Sequence, residues 1–139
     1  MSDAPDFVEL LRVFSNNYLG KRERAVRHAG DICEFYARVF IRCDLNREQR
    51  ATVNSVLAYF MVNGDLYPEE RLGPFGLVDD LYVATYAFRT LRREVRAEDL
   101  ISCWPGLEPL DQVMDEVYRE CRAEIGKRTK EVLRLAGLN

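Results

Sequence analysis

An all-α fold, a compact single-domain bundle of five or six helices around a central helical hairpin, is what three observations on this chain predict. Apolar residues recur at three-to-four spacing through most of its length. No two alternating segments joined by a tight turn suggest strands. The 139 residues, 47% hydrophobic and 31% charged, can form one core without staples, burying roughly two-thirds of the surface the unfolded chain exposes. No repeat, low-complexity tract or long linker divides 1–139 into two domains.

The first helix follows Ser2 or Asp3 as cap, takes Pro5 into its first turn, and carries Phe7, Leu10, Leu11 and Phe14 on one stripe to about Leu19, where Gly20 ends it. A second helix over 21–42 repeats Val26, Ala29, Ile32 or Cys33, Tyr36, and Val39 or Phe40, with Arg24, Arg27, Asp31, Glu34 and Arg38 opposite. These two make up the flank over 6–42. Asn46 and Gln49 form a capping box for the third helix, and Leu45 is placed to staple it. Its apolar positions are Val53, Val56, Leu57, Phe60 and Met61, and Asn63-Gly64 is its expected stop.

The fourth helix opens at Asp79 or Asp80 and runs through Leu91 with little polar surface, so it should be the most buried. A short helix over Ala97 to Cys103 is broken by Trp104-Pro105-Gly106. The last helix, the flank over 109–136, has Leu110, Val113 or Met114, Val117, Cys121, Ile125, Val132 and Leu135 as its stripe. Gly126 inside it would cost about 1 kcal/mol relative to Ala if the helix were continuous.

Charge is uneven. Residues 51–88 hold five carboxylates, Asp65, Glu69, Glu70, Asp79 and Asp80, against Arg71, while the rest nearly balances, so this segment produces the whole net charge of −3. Nucleic-acid binding is disfavoured, because phosphate recognition needs a basic excess. The runs at 21–27 and 89–96 are interleaved with acids or apolar residues and read as solvated faces. No transmembrane segment is expected, since Val53 to Val62 is too short to span a bilayer, and MSDAPDF lacks the look of an export signal. A cytoplasmic location is the expectation. Cys33, Cys43, Cys103 and Cys121 show no close CxxC-type pair and are read as buried, reduced thiols.

Tyr59 to Glu69 (YFMVNGDLYPE), followed by Gly76-Leu77-Val78-Asp79-Asp80, resembles the central motif of the YkvA-like family, a bacterial domain of unknown function (number 1232). Tyr59, Asp65, Pro68 and the Asp79-Asp80 pair match that motif in type. Asn63-Gly64, Tyr67, Glu69 and Glu70-Arg71 depart from it, and about one extra residue precedes the Asp pair. The resemblance covers roughly Val56 to Leu91 and implies a helical hairpin, with the family-like core over 53–91, closed by a structured acidic turn. It implies no assigned reaction.

Asp65, Glu69, Asp79 and Asp80 are the candidate ligands for a divalent cation, because hard cations take several carboxylate oxygens. Capping and turn formation compete with that role and are preferred, and no other cofactor is expected. His28, the only histidine, shares a helix face with Asp31 and reads as half of a surface pair. Gly-rich phosphate loops, GxSxG and HExxH are absent. Tyr67, Phe75 and Trp104, aromatics in loop segments, are the candidate partner-binding residues. The leading expectation is a non-enzymatic protein-interaction or regulatory module whose partner is another protein. A metal-dependent enzyme or metal-binding regulator built on the acidic hinge is the first alternative. A homo-oligomer paired through the last helix is the second.

Overall fold

The computed structural model describes residues 7–20, 22–66 and 76–138, the side chains of 62–66 excepted. The described residues form a packed bundle of helices: α1 Phe7–Asn16, α2 Glu23–Arg27, α3 Ala29–Arg42, α4 Arg47–Leu66, α5 Leu77–Glu94, α6 Ala97–Ser102, α7 Leu110–Ile125 and α8 Thr129–Leu135. No strand occurs among them. Each segment overlaps an expected helix, and the described residues hold eight because the two long ones are each broken once.

Helix α5 is the common wall. Twelve of its residues, from Leu77 to Leu91, are buried, which is why its sequence shows so little polar surface. It packs against α2, α3, α4, α7 and α8. The α4–α5 hairpin is thus present, with α7 laid along α5 and burying Leu110, Val113, Met114, Val117, Cys121 and Ile125. At the centre, Phe35 meets Tyr36, Phe88 and Trp104 edge to face at 5.3, 5.9 and 6.1 Å. The buried Tyr36 hydroxyl donates to the Ala84 carbonyl of α5 at 2.5 Å.

The α4 cap forms as its sequence indicates. Gln49 N donates to Asn46 Oδ1 at 2.8 Å, and Asn46 N donates to Gln49 Oε1 at 3.0 Å. The far end differs, since α4 runs through Asn63-Gly64 to Leu66. Glycine permits positive backbone angles without requiring them, and its cost inside a helix is small enough for the surrounding structure to outweigh. Helix α5 starts at Leu77, ahead of the Asp pair.

The expected 21–42 helix breaks at His28, whose amide turns back to the Ala25 carbonyl at 3.1 Å before Ile32 N resumes the regular ladder to the His28 carbonyl at 2.9 Å. The last helix breaks at Gly126, which takes φ 62° and ψ −120°, a conformation that side-chain-bearing residues strongly avoid. A single 3₁₀ turn over Gly126–Arg128 then leads into α8. The glycine is a hinge here and not a weak point within a continuous helix.

Helix α1 also turns differently about its axis. Leu11 and Ser15 are buried, while Leu10 and Val13 face solvent. The cause is a close crossing on α3, where a Cβ placed on Gly30 would lie 2.4 Å from Arg12 Cγ. Arg12 lies across that glycine and bonds the carboxylates of Asp31 and Glu34.

In urea unfolding, Phe35→Ala should cost about 3–5 kcal/mol and Tyr36→Phe about 1–2 kcal/mol. Leu10→Ala should stay within about 0.5 kcal/mol of the parent. A large loss at Leu10 with a small one at Phe35 would contradict this packing.

Candidate functional site

The acidic segment delivers two of its carboxylates to the start of α5, where the unsatisfied amides of the first turn favour negative charge. Both Asp79 and Asp80 are buried. Gly76 stands at the N-cap of α5 and has no side chain to offer, and Asp79 and Asp80 are the acidic residues of the first turn. Asp79 Oδ2 lies 3.5 Å from Arg128 Nη2, across the turn that follows Gly126. Its Oδ1 is enclosed without a hydrogen-bond partner among the described residues. Burial pushes the Asp79 carboxyl up to about 6 against the pull of Arg128, with Glu131 adding to the rise.

The side chains of the other proposed members of the acidic group, and those of two of the aromatic candidates, lie outside what the structure describes. Asp65 is in the last turn of α4, but its side chain lies outside the described residues. Glu69, Tyr67 and Phe75 lie outside them altogether. Among the described residues no three His, Cys, Asp or Glu side chains converge as metal ligands would.

His28 is placed away from its expected partner. Asp31 is held by Arg12, and the imidazole Nε2 lies instead 3.9 Å from Glu108 Oε2 in the connection between α6 and α7. Pairing with Asp31 fails because α1 crosses α3 closely enough to put a guanidinium there first. His28 forms a common wall of two shallow cavities of about 230 Å³ each. One runs between α2 and α7 and is lined by Arg24, Glu116, Arg119 and Glu120. The other lies under the α6–α7 connection and is lined by Arg27, Asp31, Trp104, Leu107 and Glu108.

That connection is tightly built. The Trp104 indole is half-buried against Phe35, and its Nε1 donates to the Glu108 carbonyl at 2.7 Å. Its ring lies over Gly106, where an added Cβ would come within 2.6 Å of it. Trp104 therefore gives much of its surface to the fold and acts as the post on which the loop is hung. Leu107, which its sequence context did not single out, stands wholly exposed at the tip, and Ile101 is exposed at the approach. The only available signal was an apolar residue between Gly106 and Glu108 in a segment with no helical partner.

On the α5–α7 face, a groove of about 280 Å³ has Thr85, Phe88 and Met114 on its lining. Its arginines are engaged: Arg89 lies 4.9 Å over the Tyr118 ring and donates to its hydroxyl, and Arg92 grips both oxygens of Asp111 at 3.0 and 3.3 Å. Arg89 and Arg92 of the basic run at 89–96 thus serve the fold's own side chains on this face. The four cysteines are buried as expected. Cys43 and Cys103, however, are brought to a sulfur separation of 3.9 Å, a pairing hidden by the distance between them along the chain.

No family model matches this chain, and no solved structure matches it. Over 124 residues it is 25% identical to an uncharacterised protein, ORF9, of Methanothermobacter thermautotrophicus, with 89% of this chain and 85% of that protein covered. No helix among the described residues is long and apolar enough to cross a membrane.

The raised Asp79 pKa fixes a sign. Between the ordinary carboxylate value of 3.8 and about 6 the folded state holds more protons than the unfolded one, so stability falls as pH rises through that window and is level above it. Comparing chemical melts of wild type and Asp79→Asn, the variant should gain about 1–2 kcal/mol on the parent between pH 4 and pH 7, allowing for solvent screening. A difference that is flat with pH would mean Asp79 titrates normally.

Proposed function

We propose that this protein is a non-enzymatic interaction module that docks another protein through the strip from Ile101 to Pro109. The observation that carries this reading is Leu107: a leucine fully in water, at the tip of a loop that Trp104 holds rigid from beneath. An ordered loop presenting an apolar side chain loses little entropy on binding, and Leu107 fits a partner with an apolar cleft. The charges lining the two cavities that share His28, Arg24, Arg27 and Arg119 with Glu108, Glu116 and Glu120, supply polar groups that fix register. The cytoplasm is its proposed setting.

Pairing of two copies through the last helix is the weaker reading, because the apolar stripe of α7 is taken up by α5. A photo-activatable residue at position 107 should cross-link to one distinct protein, and Leu107→Asp should lower recovery of that protein about tenfold or more with an unchanged melting temperature. Undiminished recovery with Leu107→Asp, or cross-links to a second copy of this chain alone, would overturn the proposal.

A second reading rests on Asp79, whose enclosed Oδ1 beside the buried Asp80 is the kind of site a hard cation would neutralise. In it, Asp65 and Glu69 complete the ligand set. Millimolar Mg²⁺, Ca²⁺ or Mn²⁺ should then raise the melting temperature by several degrees, saturably, and Asp80→Asn should abolish the rise. Identical melts with and without each cation would remove this reading.

A further inference from the structure

Two thiols that lie 60 positions apart in the chain meet at the base of the α6–α7 connection. Cys43 Sγ and Cys103 Sγ are 3.9 Å apart, Cys43 also reaches the Asp99 carbonyl at 3.9 Å, and Ser102 Oγ lies 4.0 Å from Cys103 Sγ. Cys103 is fully enclosed, whereas Cys43 keeps 8% of its surface open to solvent. Each follows the last residue of its helix, Cys43 after α3 and Cys103 after α6. At such positions the backbone is hydrogen-bonded on one side only, so the sulfurs can close the remaining distance to a bond of about 2.05 Å with local adjustment.

We infer that Cys43 and Cys103 are an oxidative modification site, at which a small peroxide closes the pair into an intramolecular disulfide. The size of the oxidant follows from the burial, since a residue with 8% of its surface open favours a small molecule such as hydrogen peroxide over a bulky disulfide. The Cys43 thiolate attacks one peroxide oxygen, the O–O bond breaks, and hydroxide leaves, giving a sulfenic acid. The Cys103 thiolate then attacks that sulfur and displaces a second hydroxide. The two hydroxides take up the two thiol protons, so two thiols and one hydrogen peroxide yield one disulfide and two waters. The sulfurs lose two electrons and the peroxide gains them. Because the second thiol is already in contact, ring closure outruns further oxidation to the sulfinic acid. Burial, reinforced by Cys103 and Asp99, pushes the Cys43 thiol up to about 12, so the reaction is slow at neutral pH and quickens as pH rises.

The test uses the wild-type chain, incubated natively with millimolar hydrogen peroxide, quenched, and alkylated under denaturing conditions. Two of its four thiols should disappear, the unalkylated chain should lose about 2 Da, and digestion should give one reducible peptide pair joining Cys43 to Cys103. The melting temperature of the oxidised protein should rise by several degrees and return on reduction, because the new link closes a long loop holding α4 and α5. In Cys103→Ser the sulfenic acid at Cys43 should persist long enough to be trapped. Retention of all four thiols, a Cys43 sulfinic acid in the wild type, links involving Cys33 or Cys121, or links between molecules would each overturn the inference.

Discussion

Helix α5 is enclosed over most of its length, and that enclosure is the constraint on which the bundle depends. Five other helices use it as a wall, so the polar groups of its buried part have to be satisfied from within the protein. Thr85 does this locally, returning its hydroxyl to the Leu81 carbonyl at 2.8 Å. The Ala84 carbonyl takes a second donor from Tyr36, which ties α3 to α5 with a bond that water cannot replace. Only at its first turn is satisfaction incomplete, where the Asp79 carboxylate has one long contact to Arg128 and an oxygen with no described partner. An incompletely satisfied buried charge is expensive, which marks the start of α5 as the least comfortable part of a well-packed helix.

Much of the bundle could be read from the chain, because helix stripes and caps are local signals. The Asn46–Gln49 box needed only residues three apart, and the burial of α5 followed from a run with almost no polar residues. The misplaced features are the ones set by contacts between distant segments. Gly30 is the one poor helix former near His28, yet the chain is helical at it, and the break before it reflects how α2 and α3 lie on α5 and α1. Leu10 has the same local spacing as Leu11, and only the crossing at Gly30 decides which one is buried. Arg12 replaced His28 beside Asp31 for the same reason.

The site residues divide along the same line. Asp79 and Asp80 were legible as a charged pair opening a helix, but their burial and the part played by Arg128 were not, since that arginine arrives from the far end of the chain. Trp104 was legible as an aromatic at a break, and its role turned out to be partly architectural, holding the loop that displays Leu107. Cys43 and Cys103 each look like an ordinary buried thiol, and their meeting depends on the ends of α3 and α6 coming together. Composition therefore located the unusual segment, while tertiary packing chose which of its side chains, and which distant ones, face each other.

The bend at Gly126 bears on where one molecule stops and the next begins. A straight helix from Leu110 to Leu135 would be about 39 Å long, whereas a folded chain of this size has a radius of gyration of about 14 Å. An unbent rod of that length would carry Val132 and Leu133, both buried here, past the edge of the bundle and into water. Exposed in that way, the last turns would be an adhesive strip for the vacated groove of a neighbouring copy, the geometry from which exchanged dimers and chains of molecules grow. One positive torsion at a residue without a side chain keeps the final segment at home, and so keeps the protein from becoming its own ligand.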